Sequence, residues 1–124
     1  MKINLIVIRT NNIEKLANFY QKLGITFQYH RHSKGPFHYA AELKGTIFEI
    51  YPLLKHQNKP DNSLRLGFDV NHLDELIPFL EKNKFEILKA PTHSKYGYFA
   101  IIKDLDGRKI ELKQNEFKPR VSKN

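Results

Sequence analysis

The chain repeats itself once, and this duplication constrains its fold more than any other feature. Residues 11–27, "NNIEKLANFYQKLGITF", align with residues 71–87, "NHLDELIPFLEKNKFEI", at an offset of 60. Leu16 meets Leu76, Phe19 meets Phe79, Lys22 meets Lys82, Ile13 meets Leu73, Glu14 meets Asp74 and Phe27 meets Ile87. Each copy opens with Asn-x-x-acid, at Asn11/Glu14 and Asn71/Asp74, which reads as a capping-box-like helix start. Apolar residues then recur at helical spacing: Ile13, Leu16, Ala17 and Tyr20 in one copy, Leu73, Leu76, Ile77 and Leu80 in the other. The predicted stops are Gly24 and Asn83. Pro78 falls about two turns into the second helix and predicts a kink or a late start there.

A strand-like run precedes each helix, "INLIVIRT" and "LRLGFDV". Three more follow each one. They are "TFQYHRH", "FHYAAEL" and "TIFEIYP" in the first copy, and "FEILKAP", "YFAIIKD" and "KIELKQ" in the second. The separators "SKGP", "KG", "THSKYG" and "DLDG" are turn formers. The last strands also correspond, Gly45 with Gly107 and Glu49 with Glu111. The predicted fold class is therefore α+β: two tandem βαβββ modules, their sheets curling around a cleft. They make a single domain over 1–124, with repeats at about 1–53 and 63–114, a polar linker 54–62 and a basic tail 115–124.

A chain of 124 residues is long enough to bury about two thirds of its unfolded surface, so it needs no disulfide or metal to hold a core. There is no cysteine, which excludes thiol catalysis, iron–sulfur clusters and zinc-finger sites, and fits a reducing cytoplasm. The opening "MKINLIVIRTNN" is too short an apolar run for a signal segment or a membrane span. No membrane partner is expected. The net charge is +8, yet the lysines are scattered, and only the tail "KPRVSKN" is clustered. Scattered lysines read as a solubilising surface, and nucleic acid is not the expected partner.

Alternation sorts the strands into faces. Ile6, Ile8, Phe48, Ile50, Leu64, Leu66, Phe68, Val70, Ile110 and Leu112 belong to the helix side. The opposite face carries Leu5, Val7, Arg9, Ile47, Glu49, Tyr51, Arg65, Gly67, Asp69, Lys109, Glu111 and Lys113. If the sheets curl around that face it lines a cleft of mixed polarity, the usual character of a ligand site. The alternative is an exposed antiparallel face with Glu49 at its surface.

The segments "NIEKLANFYQKLGITF" and "AIIKDLDGRKIELKQ" resemble the first helix and the closing hairpin of the glyoxalase / bleomycin resistance / extradiol dioxygenase superfamily, the vicinal oxygen chelate fold. The likeness runs from about Leu5 to Lys113. In metal-dependent members, four cleft positions hold a divalent metal that polarises two neighbouring substrate oxygens. Carried over, those positions are Leu5, Glu49, Arg65 and Glu111. Both carboxylates match, but leucine has no donor and arginine is permanently cationic. Two carboxylates are too few for a typical transition-metal centre. The expectation is accordingly no cofactor, with Arg65 standing in for the metal by pairing with Glu111, Glu49 or both.

The resemblance implies a small-molecule partner and a homodimer. Binders of cationic drugs should be acidic, so a basic chain points to a neutral or anionic organic ligand. Leu5, Val7, Arg9, Ile47, Tyr51, Gly67, Asp69, Lys109 and Lys113 are the candidate binding residues. The alternative is a lyase or isomerase related to glyoxalase, with Glu49 or Glu111 as general base and Arg65 as electrostatic clamp. A basic nucleic-acid-binding domain is the third possibility.

Two further groups stand out. His30 and His32 share a strand face, and His38 follows across the "SKGP" turn. Such a trio is a metal-site pattern, but no carboxylate is evident near the hairpin, so exposed or cleft-edge polar residues are the plainer reading. Tyr29, Phe37, Tyr39, Tyr96 and Tyr98 occupy matching strands of the two copies and are candidates for cleft walls or core.

Overall fold

Alternating strands and amphipathic helices assemble in the order the repeat predicts. The computed structural model describes residues 1–30 and 33–116. The first module runs β1 (Leu5–Thr10), α1 (Ile13–Gln21), β2 (Gln28–His30), β3 (His38–Leu43) and β4 (Thr46–Pro52). The second runs β5 (Leu66–Val70), α2 (Leu73–Lys82), β6 (Glu86–Ser94), β7 (Gly97–Lys103) and β8 (Lys109–Gln114). Each builds a four-stranded sheet, in the orders β1-β4-β3-β2 and β5-β8-β7-β6. The β1–β4 and β5–β8 pairs are parallel, as a strand–helix crossover requires, and the remaining pairs are antiparallel. The chain forms two compact units, Met1–Leu64 with the short turn Asp104–Gly107, and Arg65–Lys103 with the residues from Arg108 onward.

In the first unit, α1 packs on β1, β3 and β4. Leu16, Ala17, Phe19 and Tyr20 of the helix are buried together with Ile8, Ala41, Phe48 and Ile50 of the strands. The Tyr20 ring meets Phe48 edge-on, with centroids 5.3 Å apart. Its hydroxyl donates to Asp104 Oδ2 at 2.7 Å, so the buried phenol keeps a partner. In the second unit, α2 packs on β6 and β8, burying Leu73, Ile77 and Leu80 with Ala100, Ile102, Ile110 and Leu112. Phe19 and Phe79 correspond in the repeat but not in environment: Phe19 is buried, whereas Phe79 is 47% exposed.

Several local expectations need correction. The first helix is capped by Asn12, not Asn11: Asn12 Oδ1 accepts from Lys15 N–H at 3.0 Å. The second has His72 at its cap, in a left-handed conformation and with no side-chain cap bond. There the Leu73 N–H donates instead to Gln114 Oε1 at 2.9 Å. Asn71 is engaged elsewhere, accepting from Asn115 Nδ2 at 2.8 Å. At the C-terminal ends, Asn83 caps α2 as expected, whereas α1 is capped at Lys22 and Gly24 follows at φ +106°.

Pro78 neither breaks nor delays α2, which is continuous from Leu73 to Lys82. The N–H it lacks would have bonded the carbonyl four residues back, in the first turn, so a single bond is forgone. Strand β5 begins at Leu66, leaving Leu64 outside it and 38% exposed. Strand β6 absorbs "THS" of the expected turn. Its hairpin is tied by Ser94 Oγ, which donates to Gly97 O at 3.0 Å and accepts from Tyr96 N–H at 3.1 Å. His32 and the tail from residue 117 lie outside the described residues. Among the described residues, no helix is long and apolar enough to cross a membrane.

Candidate functional site

The β3–β4 turn fixes the register on which the site depends. Lys44 and Gly45 both have positive φ, 49° and 92°, the geometry of a two-residue turn whose twist suits a hairpin. Leu43 then faces Thr46, and counting back places Ala40 opposite Glu49. On β2, Gln28 pairs with Ala40 and His30 with His38. On β1, Val7 pairs with Glu49 and Arg9 with Tyr51. One face of the first sheet therefore presents two adjacent rows: Gln28, Ala40, Glu49 and Val7, then His30, His38, Tyr51 and Arg9.

The second row is a chain of ring contacts. His30 and His38 meet edge-on with centroids 4.5 Å apart. The His38 ring lies on Tyr51 at 4.1 Å, nearly parallel. The Arg9 guanidinium carbon lies 5.1 Å from the Tyr51 ring centroid, and Nη1 donates to Pro52 O at 3.0 Å. His38 is 1% exposed. Its Nδ1 is 3.1 Å from Pro36 O, and its Nε2 is 3.4 Å from the Tyr51 hydroxyl and 3.4 Å from Glu49 Oε2. Burial, followed by the neighbouring Glu49 charge, raises the Tyr51 pKa above the ordinary phenol value, and Arg9 opposes the shift. Tyr51 thus stays a neutral phenol that donates a hydrogen bond.

Beside these rows lies a cavity of about 660 Å³, lined by Thr26, Gln28, His30, Ala40, Ala41, Glu42, Ile47 and Glu49. That is within the range of small-molecule sites, roughly 300–1,000 Å³. Apolar groups from Ala40 and Ile47 alternate with amide, imidazole and carboxylate. In the second unit the corresponding cavity is only about 140 Å³, lined by Ser94, Tyr96, Phe99, Glu111 and Lys113.

The residues singled out in the sequence fall into two groups, one on each sheet. Leu5, Val7 and Arg9 pair with Ile47, Glu49 and Tyr51 in that order, and Ile47 and Glu49 line the larger cavity. Gly67 pairs with Glu111 and Asp69 with Lys113, and Glu111 and Lys113 line the smaller one. Lys109 is exposed at the start of β8. Arg65 is exposed and precedes β5, and among the described residues it forms no ion pair with Glu111. Tyr29 and Phe37 stack on each other at 5.0 Å, and both are substantially exposed.

Of the four positions implied for a metal, two carry no metal donor. Leu5 is a half-exposed hydrocarbon and Arg65 an exposed guanidinium, which leaves one carboxylate on each sheet. The histidine hairpin, in contrast, does have a carboxylate beside it. His30, His38 and Glu49 bring one ligand atom each within 4.8 Å of one another. The expectation that no carboxylate lies near these histidines is corrected on that geometry. Gln28, Ala40 and Glu42 were missed as well. Gln28 and Ala40 are brought together by β2–β3 pairing and Glu42 is set opposite Ile47 by β3–β4 pairing, which face alternation on single strands does not give.

Comparison with known proteins agrees with this architecture. The family model for the Glyoxalase/Bleomycin resistance protein/Dioxygenase superfamily matches residues 2–112. Among solved structures, TnmS3, an antibiotic binding protein from Streptomyces sp. CB03234, superposes with a TM-score of 0.74 at 20% identity, covering 94% of this chain and 97% of that one. A glyoxalase/bleomycin resistance protein/dioxygenase family enzyme from Burkholderia phytofirmans PsJN gives 0.71 at 20% identity, covering 92% and 98%. The oxidase ChaP-H2 gives 0.72 at 14% identity, covering 94% and 95%. At such identities the likeness is one of fold. Curated protein sequences yield no significant match.

Proposed function

Because the chain belongs to the Glyoxalase/Bleomycin resistance protein/Dioxygenase superfamily, we propose that it binds a small organic molecule in the cavity of its first module. The cavity beside His30 and Glu49 carries this reading, since its volume and mixed lining suit a compact ligand with an apolar body and hydrogen-bonding edges. The net charge of +8 disfavours a cationic ligand at long range. Glu42 and Glu49 in the lining disfavour an anionic one at contact. A neutral molecule whose donors meet Gln28, Glu42 and Glu49 satisfies both conditions. The antibiotic-binding TnmS3 shares the fold, which supports sequestration as the kind of role.

A second reading is favoured by one observation, the 3.4 Å approach of His38 Nε2 to Glu49 Oε2. A carboxylate held beside an imidazole at a cavity wall is suited to proton abstraction, as a lyase or isomerase requires. Glu111 lines the smaller cavity of the second unit, and Arg65 is exposed beside β5. A cytoplasmic homodimer is the proposed form of the protein, and sedimentation of the purified chain tests the dimer.

The experiment is a thermal-stability screen of the full chain against neutral, anionic and cationic metabolites and natural products. A ligand that binds the folded state raises the melting temperature by mass action. Neutral compounds are expected to stabilise the chain, and Ala40→Phe, which puts a ring into the cavity, is expected to abolish the effect. Stabilisation that survives Ala40→Phe unchanged would contradict the proposed location. Product formation from a stabilising compound would select the enzymatic reading.

A further inference from the structure

His30, His38 and Glu49 come from three neighbouring strands, β2, β3 and β4, and project from one sheet face. Ala40, which pairs with Glu49, lines the adjoining cavity together with His30 and Glu49 itself. The ligand atoms of His30, His38 and Glu49 lie within 4.8 Å of one another, and the His38–Glu49 edge is 3.4 Å. In a tetrahedral site with bonds of about 2.0–2.1 Å, ligand atoms lie roughly 3.4 Å apart. The His38–Glu49 edge already has that length, and His30 is part-exposed beside it.

Hydrogen bonding sets the direction of the donor. His38 Nδ1 faces the carbonyl of Pro36 at 3.1 Å, and a carbonyl only accepts. Nδ1 therefore carries a ring proton, and Nε2 faces Glu49 Oε2 and the Tyr51 hydroxyl. An imidazole nitrogen and a carboxylate oxygen at this spacing are the donor types and separation of two neighbouring ligands of one transition-metal ion. An Nδ1–H bond to a backbone carbonyl is also the arrangement that orients metal-ligating histidines. Stacking on Tyr51 and near-complete burial hold the ring in that pose.

We propose that His30, His38 and Glu49 form a binding site for a divalent transition metal of the zinc type, with at least one coordination position open toward the cavity. Two imidazoles and one carboxylate suit zinc, cobalt, nickel or copper better than magnesium or calcium, which prefer oxygen-only sets. The site uses neither Leu5 nor Arg65 and is complete within the first module. It goes beyond ligand binding as proposed above and does not depend on it, because it is tested with the metal alone.

The experiment is calorimetric titration of the chelator-stripped full chain with Zn²⁺, alongside Co²⁺ titration followed by visible absorption. The expected result is one strong site per chain, with the intense cobalt bands of tetrahedral coordination. His30→Ala and Glu49→Gln, both at part-exposed positions, are each expected to weaken Zn²⁺ by more than about tenfold. His93→Ala, on the second module, is expected to leave it unchanged. Far-ultraviolet circular dichroism of each variant verifies folding, and His38→Gln adds a third arm. Zn²⁺ affinity unchanged by His30→Ala and Glu49→Gln would overturn the proposal, as would octahedral cobalt spectra or the absence of a strong site in the wild-type chain. Organic ligand binding by the metal-free chain with no such site would overturn the metal and leave the binding function standing.

Discussion

His38 Nε2 stands 3.4 Å from Glu49 Oε2, and the two side chains reach each other across a hairpin whose register is fixed by Lys44 and Gly45. Glu49 is otherwise out of place, a carboxylate midway along the apolar strand "TIFEIYP" and only 12% exposed. Partial burial of a carboxylate costs free energy unless its environment repays it. His38 and the cavity form its setting, and the proposed binding role assigns it to function rather than stability.

Glu49→Leu tests that account. Leucine between Ile47 and Tyr51 removes a desolvated charge, while His38 Nε2 keeps the Tyr51 hydroxyl. Replacing buried charge by apolar volume is often neutral or stabilising. The variant is expected within about 1 kcal/mol of wild type or above it, with loss of ligand-induced stabilisation. Urea denaturation and the thermal screen measure the two effects. A large drop in stability would make Glu49 a structural residue.

The first helix start separates two neighbouring asparagines. Asn12→Ala removes the acceptor of the Lys15 N–H and is expected to cost about 0.5–2 kcal/mol. Asn11→Ala is expected to stay within about 0.5 kcal/mol of wild type. Equal effects in chemical denaturation would contradict the cap assignment.

The Tyr20–Asp104 bond is buried and 2.7 Å long. Tyr20→Phe keeps the ring against Phe48 but removes the hydroxyl that donates to Asp104, at an expected cost of about 0.5–3 kcal/mol. Phe48→Ala removes a core ring 1% exposed and is expected to cost about 3–5 kcal/mol. If Tyr20→Phe proves neutral in urea, the bond is absent in solution.

Alkaline stability reports on Tyr98. Its hydroxyl donates to Asp74 Oδ1 at 2.5 Å, and this bond, with burial and the Asp74 charge, raises its pKa above 10.0. The folded state then holds the phenolic proton more tightly than the unfolded chain. The contribution is fully present below pH 10 and is lost as pH rises through the folded pKa. Tyr98→Phe is expected to lose less stability than wild type above pH 10 in denaturation series run across that range. Identical alkaline slopes would count against the bond.

The fold was legible because the repeat carries two independent periods, helical at Leu16/Leu76 and alternating at Phe48–Ile50 and Ile110–Leu112. Each period needs only local sequence. Face alternation likewise placed Ile47, Glu49 and Tyr51 together. The convergence of His30 and His38 on Glu49 was not legible, because it depends on which β3 residue pairs with which β4 residue, and turn conformation sets that. The cap at Asn12 and the continuity of α2 through Pro78 were hidden for a similar reason. A one-residue shift in cap, or a proline whose missing bond falls in the first turn, leaves the composition pattern unchanged. Gln114 takes over the cap of α2 from a distant strand, a contact that spacing along the helix does not encode.

The binding site proposed for the chain is the sheet face of its first module. Amide chemical-shift mapping by NMR of the full chain, with the first compound that stabilises it, tests this most directly. The account predicts perturbations centred on Gln28–His30, His38–Glu42 and Ile47–Tyr51. Perturbations centred instead on Ser94–Phe99 and Glu111–Lys113, with the first sheet unmoved, would contradict it.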